Sequence, residues 1–432
     1  MKNALDIQTA LQSRQLPGLH GLLPENEFVM PHYDGLGIAN LPATLAALLG
    51  AELPGTCPPL HADLWHPWKE GIKRIVLVLF DALGYLQLRA AMQRASDLAF
   101  HHLADAGSLV PITSVFPSTT CTVLTTLWTG YSPAAHGNLA FEVFLRELGT
   151  AASTLFFWPS AYRQRDSLAD WGLEPDTFLP VPSLGERLSA QGIATHTLIN
   201  KAYAHSFFSQ TLHRGIQHTS RFVGQSDMWL ELLRALDKHQ GKKALISAYV
   251  STIDGLTHQY SPDDETWDQE LHNISWSIQT GFLDRLTAEQ RKGTLLLITA
   301  DHGGVSTLPP DAVRLDHHPA LRDALSLFPL GESRVPFLYT RGDTLKQAQT
   351  YMQQELEDAF VTLTRKQVLE SGLLGPGPAY EETSHRLGDL VALARGNHYL
   401  ARDEWQLKMK GRHGGLSAQE MLVPLLGLRL DA

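Results

Sequence analysis

Residues 294–304, TLLLITADHGG, combine an apolar run with two polar side chains at its end. The run over 295–299 predicts a buried strand, which stops at Asp301 and His302, and two glycines follow at once. A carboxylate and an imidazole are poor core side chains, whereas the end of a strand holds such groups rigidly at a sheet edge. The glycines let the chain turn sharply there. The stretch therefore predicts a metal site at the end of a buried strand.

The composition is that of a folded globular chain. Of its 432 residues, 44% are hydrophobic, which is typical of neither disordered nor membrane proteins. The length allows one large α/β domain with insertions, or two domains. No segment approaches the ~18 apolar residues of a membrane span, and the N-terminus has no signal-peptide core. We therefore expect a cytoplasmic protein that has no membrane partner.

Charge and cysteine content restrict the partners and the metal ligands. The net charge is −10, and no basic run exists, so we expect no nucleic acid polymer as a partner. A small anionic substrate is compatible with this charge if metal ions offset it locally. The two cysteines, Cys57 and Cys121, provide neither a disulfide framework nor a thiolate cage. A metal would be held by oxygen and by some of the 20 histidines.

A second buried strand is predicted over residues 74–80, RIVLVLF, and Asp81 follows it directly. Continuous apolar runs of this kind are typical of parallel strands that helices cover on both faces. The carboxyl ends of such strands are where α/β folds bind ligands. Asp81 has an alternative interpretation as the N-cap of the helix predicted over 86–95.

Three hydroxyl side chains, Ser118, Thr119 and Thr120, precede a helix predicted over 121–128. A strand is predicted before them, over 109–116. One interpretation is that a hydroxyl caps the helix. The other is that a hydroxyl acts as a nucleophile beside unpaired backbone N–H groups, which can hold a phosphate.

Asp254 and His258 follow the strand predicted over 243–250 and are four residues apart. On a helix this spacing places both side chains on one face, within reach of a single ion. The alternative is an exposed pair that supports a helix end. His413 lies in a loop between Arg412 and two glycines, before a segment predicted to close the sheet.

Together these positions supply three aspartates, three histidines and a hydroxyl. This set suits two zinc-like ions, and manganese accepts the same ligand types. Two ions about 4 Å apart can clamp the attacking and leaving oxygens of an in-line displacement at phosphorus. The candidate metal ligands are Asp81, one of the hydroxyls of Thr119 and Thr120, Asp254, His258, Asp301, His302 and His413.

Five motifs carry a resemblance to a known family: FDALGY at 80–85, FPSTTCTVLTTLWTGYSPAAHG at 116–137, DGLTHQY at 254–260, TADHGG at 299–304 and RHGGLS at 412–417. In this order they resemble the alkaline phosphatase superfamily, and within it the type I phosphodiesterase/nucleotide pyrophosphatase family. The resemblance implies an α/β fold, an alkaline-phosphatase-like three-layer sandwich. It would have a mainly parallel central sheet with helices on both faces. The resemblance also implies two divalent metal ions, with zinc as the first candidate.

The resemblance also implies how the ligands are divided. One ion would bind Asp254, His258 and His413, and the other would bind Asp81, Asp301, His302 and the nucleophile. The nucleophile position of the family, three residues after the proline of its FPxxT pattern, falls on Thr120 rather than on Thr119.

The chain departs from the family pattern at two places. Members that cleave nucleotides carry FPN after the threonine, where this chain has CTV. They also carry an asparagine some twenty residues later that holds a phosphate oxygen; that position falls near Phe141, and Asn138 is the predicted substitute. The sulfatase branch requires a cysteine followed by a proline and an arginine, which CTVLT at 121–125 does not match.

These observations predict a metal-dependent phosphodiesterase that acts on a small phosphorylated substrate through a phospho-threonine. Alternatives are a phosphomonoesterase, phosphonate hydrolase or phosphomutase of the same superfamily, or a metal-binding protein without turnover. We expect an N-terminal arm over 1–70 and a catalytic domain over 71–432. Cap insertions are expected at about 141–183 and 310–385, and residues 342–385 are predicted to form a small helical subdomain with helices over 345–360 and 365–373. The oligomeric state is open.

Overall fold

Two seven-stranded sheets organise the computed structural model, which describes residues 3–431. Two further sheets of two strands each accompany them. The strands of the described residues are β1 Arg74–Phe80, β2 Ser108–Thr113, β3 Glu142–Leu145, β4 Thr150–Ser153, β5 Trp158–Pro159, β6 Ala194–Asn200, β7 His218–Phe222, β8 Ala244–Val250, β9 Thr294–Thr299, β10 Val305–Ser306, β11 Ala312–Arg314, β12 Leu330–Gly331, β13 Pro336–Leu338, β14 Phe360–Thr364, β15 Leu390–Ala394, β16 Tyr399–Ala401, β17 Gly411–Arg412 and β18 Leu422–Arg429.

Helices connect most of these strands. No helix between residues 3 and 431 is both long enough and apolar enough to cross a membrane. The α-helices are α1 Ala4–Gln12, α2 Leu41–Leu48, α3 Ala62–Trp65, α4 Tyr85–Arg94, α5 Phe100–Ala106, α6 Thr120–Thr129, α7 Pro133–His136, α8 Leu184–Ala190, α9 Phe207–Leu212, α10 Gln225–Lys238, α11 Thr252–Tyr260, α12 Glu265–Trp276, α13 Ala288–Arg291, α14 Pro319–Ala324, α15 Leu345–Glu355, α16 Arg365–Glu370, α17 Thr383–Arg386 and α18 Ala418–Met421.

The central sheet has the strand order β2-β18-β9-β1-β8-β6-β7. Five neighbouring strands, from β9 to β7, run parallel, and β18 is antiparallel to both β9 and β2. Every residue of β1 and β9 is buried, so both faces of the sheet are covered, as their uninterrupted apolar sequences require. The predicted α/β class with a mainly parallel central sheet is confirmed.

The second sheet, with the order β14-β15-β13-β12-β3-β4-β5, was not predicted from the sequence. All its pairings are antiparallel. It draws strands from both expected insertions, because β3 to β5 fall within 141–183 and β12 to β14 fall within 310–385. The helical subdomain predicted over 342–385 contains α15 and α16 near the two predicted helices, and it also contains a strand that was not predicted, β14, which lies between them and pairs with β15. The division into an arm, a catalytic domain and caps stays a prediction.

The N-terminal segment and the C-terminal segment both contact the central sheet near the predicted site. The Thr113 amide of β2 donates to the carbonyl of Leu36, at 2.9 Å, and the Val29 amide donates to the carbonyl of Leu416, at 2.7 Å. These backbone contacts hold the segment that follows His413 between the arm and the sheet.

A buried ion pair joins the second sheet to this C-terminal segment. The guanidinium of Arg334, beside β13, makes two bonds to the carboxylate of Glu420, at 2.9 and 2.8 Å. Both side chains have no exposed surface. Glu420 also accepts the amide of Gly415, at 2.8 Å, so the pair fixes the loop that carries His413.

We expect Arg334→Met to lower the free energy of unfolding by about 3–5 kcal/mol, because it leaves the Glu420 carboxylate buried without its cation. Urea denaturation of the two proteins measures the difference. Arg314→Met is the control, since the partners of Arg314, Asp316 and Glu404, are exposed, and exposed pairs contribute little. Equal effects of the two substitutions would contradict the role of the buried pair.

Candidate active site

Three neighbouring strands of the central sheet deliver carboxylates to one edge. Asp81 follows β1 directly, Asp301 lies two residues after β9, and Asp254 lies in the first turn of α11, just after β8. Because β9, β1 and β8 are adjacent and parallel, their carboxyl ends meet at the same place. The strand ends that carry the sequence motifs therefore converge in space.

The first group of ligand-type side chains is Asp81, Asp301 and His302. Their ligand atoms all lie within 4.8 Å of one another, and all three residues are buried. His302 Nε2 is 3.4 Å from Asp81 Oδ1 and 3.5 Å from Asp301 Oδ2. Neither oxygen has a hydrogen-bond donor within the described structure. Buried acceptors are normally satisfied, so two orphaned oxygens that face an imidazole nitrogen fit a bound cation.

The other oxygen of each of these two carboxylates, Asp301 Oδ1 and Asp81 Oδ2, accepts hydrogen bonds. Asp301 Oδ1 accepts the amides of Ala82 and His302, at 3.1 and 2.9 Å. Ala82 adopts a φ of 61°, which turns its amide towards this carboxylate; such a conformation is costly for a residue other than glycine. Asp81 Oδ2 accepts the hydroxyl of Tyr249, on β8. Each carboxylate is thus oriented with one free oxygen inward.

The second group is Asp254, His258 and His413, whose ligand atoms likewise lie within 4.8 Å of one another. Asp254 Oδ1 is 3.3 Å from His258 Nε2 and 3.8 Å from His413 Nε2, and it also has no hydrogen-bond donor. The imidazole of His413 stacks on that of His302, with ring centroids 3.7 Å apart, so the two groups are adjacent. The structure therefore brings all six predicted Asp and His residues together.

The three imidazoles share one orientation. Their Nδ1 atoms face backbone carbonyl oxygens: His258 that of Gly411 at 2.9 Å, His302 that of Gly303 at 2.8 Å and His413 that of Ser118 at 3.3 Å. A carbonyl oxygen can only accept a hydrogen bond, so Nδ1 carries the proton and Nε2 presents its lone pair to the site. Backbone partners of this kind orient metal-binding histidines. The donor set fits two metal ions.

Thr120 is the first residue of α6, and its hydroxyl lies 3.2 Å from His302 Nε2. The N-cap residue of that helix is Thr119, whose side chain makes no capping bond. Asp81 does not cap the following helix either, because α4 begins after Gly84. The capping interpretations of Asp81 and of these hydroxyls therefore do not describe what the side chains contact.

Close packing requires glycine beside the ligands. A Cβ on Gly303 would lie 2.0 Å from the carbonyl oxygen of Gln419 and 2.9 Å from the Cα of Gly84. The loop after His302 therefore passes against backbone on two sides. This contact explains the first glycine of the ADHGG motif.

Burial dominates the electrostatics of the metal-free site. Burial, with the nearby carboxylates of Asp301 and Asp254, raises the pKa of Asp81 well above its ordinary value. Burial, with a contribution from Asp254, raises the pKa of Asp301 to about 7. Burial and the neighbouring imidazoles of His302 and His258 hold the pKa of His413 well below its usual range. All three shifts favour uncharged side chains, and bound cations would reverse those of the carboxyls.

Two cavities meet at Thr120. The larger, about 560 Å³, is lined mainly by residues of the second sheet and of the C-terminal segment. The smaller, about 210 Å³, extends between α6, α9 and the end of β6 and has mostly apolar walls. Thr120, Asp254, Leu155 and Phe156 line both cavities.

Asn138 is not part of this site. It is buried, and its Nδ2 donates to the hydroxyl of Thr125, at 2.9 Å, within the structure around α6. It lines neither cavity. The position expected to carry the phosphate-binding asparagine is Phe141, which lines the larger cavity.

Sequence reasoning missed Tyr249 and Glu332. A tyrosine near the end of the otherwise aliphatic run KALISAYV was an available signal for the first. Glu332 lines the larger cavity, where burial raises its pKa to about 7. It comes from a loop of the second sheet, and no periodic pattern pointed to it.

The comparison with protein families agrees with this geometry. Residues 75–416 match the model of the family described as type I phosphodiesterase / nucleotide pyrophosphatase. The chain belongs to this family. It is a family of metal-dependent enzymes within the alkaline phosphatase superfamily. The recognition made from the five motifs is confirmed. Comparison with curated protein sequences found no similar sequence.

Solved structures share the fold at low sequence identity. Murine ectonucleotide pyrophosphatase/phosphodiesterase 5 superposes with a TM-score of 0.61 and 15% identity, over 83% of this chain and 89% of that one. An inactive threonine-to-alanine variant of it, in complex with AMP, gives 0.61 and 16%, over 83% and 90%. Phosphonoacetate hydrolase from Sinorhizobium meliloti 1021, in complex with phosphonoacetate, gives 0.58 and 16%, over 82% and 89%.

We expect Asp301→Asn to stabilise the metal-free protein increasingly as the pH rises. The pKa of Asp301 rises from 3.8 to about 7 on folding, so the folded state keeps a proton that the unfolded state has released. The wild type therefore loses stability relative to the variant across this window, by at most about 1.4 kcal/mol per pH unit. Urea denaturation in chelator at pH 5, 6, 7 and 8 measures the difference.

Asp316→Asn is the control for that series. Hydrogen bonds from Arg314 lower the pKa of Asp316, so its carboxylate is charged in both states throughout the series and the difference should not vary with pH. A pH-independent difference for Asp301→Asn would contradict the burial effect.

Proposed function

We propose that this protein is a two-zinc phosphodiesterase that works through a phospho-threonine on Thr120. The proposal joins the family membership to three features of the site: two ligand groups side by side, a hydroxyl beside them and a cavity on each side of that hydroxyl. The substrate would be a small phosphodiester or a pyrophosphate-linked molecule. Manganese is the second candidate ion, since carboxylate and imidazole accept both.

The observation that carries the proposal is the position of the Thr120 hydroxyl. It lies 3.2 Å from a nitrogen of the first ligand group, and Asp254 of the second group lines the same two cavities. A diester has two substituents on phosphorus, and two cavities that meet at one hydroxyl can accept one substituent each. The inactive threonine-to-alanine variant of the murine neighbour supports a threonine as the catalytic group.

The residues of this chain would act as follows. Asp254, His258 and His413 would hold one ion, and Asp81, Asp301 and His302 would hold the other. Bound zinc supplies positive charge that favours the ionised hydroxyl and stabilises charge on the phosphorus oxygens. The backbone N–H groups at the N-terminus of α6 also favour the phosphate anion. Tyr249, through its bond to Asp81, keeps that carboxylate oriented.

The proposed reaction has two displacements. The Thr120 oxygen, after losing its proton to solvent, bonds to phosphorus, and the bond from phosphorus to one ester oxygen breaks. That oxygen takes a proton and leaves as an alcohol. Water then attacks the phospho-threonine, the bond to the Thr120 oxygen breaks, and a phosphomonoester is released as the hydroxyl regains its proton.

We expect Thr120→Ala to lower kcat/KM for bis(p-nitrophenyl) phosphate by at least about a thousandfold, because no other group can form the covalent intermediate. Thr120→Ser should keep part of the activity, since it retains a hydroxyl. Thr119→Ala is the matched comparison. Loss of activity in Thr119→Ala with retention in Thr120→Ala would refute the assignment. Faster release of phosphate from a phosphonate or a phosphomonoester would favour those alternatives.

We expect the zinc-loaded wild type to contain two equivalents of zinc by elemental analysis. Asp254→Asn and Asp301→Asn should each contain about one, because each substitution removes a charged ligand from one group only. Asp316→Asn, outside both groups, should still contain two. A single equivalent in the wild type would contradict the two-ion assignment.

A further inference from the structure

Glu332 presents a carboxyl group to the larger cavity without a cationic partner. It lies in the tight turn between β12 and β13, and it lines the cavity together with Thr119, Thr120 and His413. Its Oε1 accepts the amide of Phe141, at 2.8 Å. No lysine, arginine or histidine forms an ion pair with it among residues 3–431. The group therefore carries an uncompensated charge when ionised.

The same cavity contains a second carboxylate that is compensated. Glu142 forms an ion pair with Arg402 and accepts the hydroxyl of Ser160, at 3.1 Å. Glu142 lies opposite Gly331, the residue before Glu332, where β3 pairs with β12. Two acidic side chains thus line the cavity, one from β3 and one from the turn after β12, and of the two only Glu142 forms an ion pair with an arginine. A half-buried charge without a partner is unfavourable for stability, and such groups in clefts are candidates for a functional role.

The backbone holds the carboxyl of Glu332 against the metal-binding loop. The amides and carbonyls of Glu332 and Val335 bond reciprocally, each at 3.1 Å, which closes the turn. The side chain then passes over Gly414, the residue after His413: a Cβ on Gly414 would lie 2.8 Å from Glu332 Cγ. Gly414 has a φ of 111°, so both its conformation and this contact require glycine. The carboxyl group therefore has a defined place beside the ligand His413 and the residue next to Thr120.

We propose that Glu332 selects phosphodiesters over phosphomonoesters, a role that rests on the proposed function of this site. A phosphodiester carries one negative charge and a phosphomonoester carries two at alkaline pH. The fixed carboxylate repels the doubly charged monoester more strongly than the singly charged diester. For charges about 6 Å apart, effective dielectric constants between about 80 and about 20 correspond to discrimination of about threefold to about a hundredfold.

Two substitutions separate this role from a structural one. Glu332→Gln removes the charge but keeps an oxygen that can accept the amide of Phe141. Glu332→Asp keeps the charge on a shorter side chain that reaches the amide less well. If Glu332 discriminates by its charge, Glu332→Gln should lose the preference for diesters and Glu332→Asp should keep it. If Glu332 serves only to accept the amide of Phe141, the opposite order is expected. Glu404→Gln is the control, because it removes the same charge from an exposed side chain outside the cavity.

The experiment compares kcat/KM for bis(p-nitrophenyl) phosphate and p-nitrophenyl phosphate, using zinc-loaded proteins at pH 9, where Glu332 is ionised. We expect the diester-to-monoester ratio to fall about tenfold in Glu332→Gln and to stay near the wild-type ratio in Glu332→Asp and Glu404→Gln. An unchanged ratio in Glu332→Gln, or a loss in Glu332→Asp alone, overturns the role of Glu332. A wild type that hydrolyses neither substrate overturns the proposed function as well, so the two failures are distinguishable.

Discussion

The site depends on one electrostatic constraint: two buried carboxylates, Asp81 and Asp301, lie together at neighbouring strand ends, and no lysine or arginine among residues 3–431 forms an ion pair with them. Their ion-pair partner in the described structure is the imidazole of His302. Burial and mutual repulsion make two ionised carboxylates unfavourable there. Either protons or a cation must neutralise them. One oxygen of each carboxylate accepts hydrogen bonds, from Tyr249 or from backbone amides, and the inner oxygens have no donor within the described structure, an arrangement that fits a cation.

The rest of the fold supports that arrangement. Parallel pairing of β9, β1 and β8 places the three aspartates at one edge, and the antiparallel return of β18 brings the C-terminal segment back to it. His413 reaches the site because the loop before β18 is fixed from both sides. Ser118 bonds to Gly414 and Gly415 from the α6 side, and Arg334 fixes Glu420 from the second sheet. His413, more than a hundred residues after Asp301, is thereby held next to the strand ends, with its imidazole stacked on that of His302.

The sequence was informative where one signal determined one element. The seven-residue run before Asp81 predicted β1 and a candidate ligand at its end, and the spacing of Asp254 and His258 predicted a pair on one helix face. The second sheet was missed because its strands are short, several only two or three residues long, and its pairs come from distant segments. Residues 361–364 lie between the two helices predicted over 345–360 and 365–373, and their pairing with a distant segment, β15, makes them a strand.

Different parts of the fold supply the candidate metal ligands and the walls of the larger cavity. The candidate metal ligands and Thr120 come from strand ends, a helix start and the loop before β18. The walls of the larger cavity come mainly from the second sheet and its loops, which contact the ligand groups at few points, such as Glu332 over Gly414. Substitutions in those walls can change which substituents and charges are accepted while the ligand geometry stays intact. The motifs at the strand ends allowed the family to be recognised from the sequence. The substrate could not be predicted, because the cavity walls that would contact it belong to short strands and loops, which no repeating sequence pattern marks.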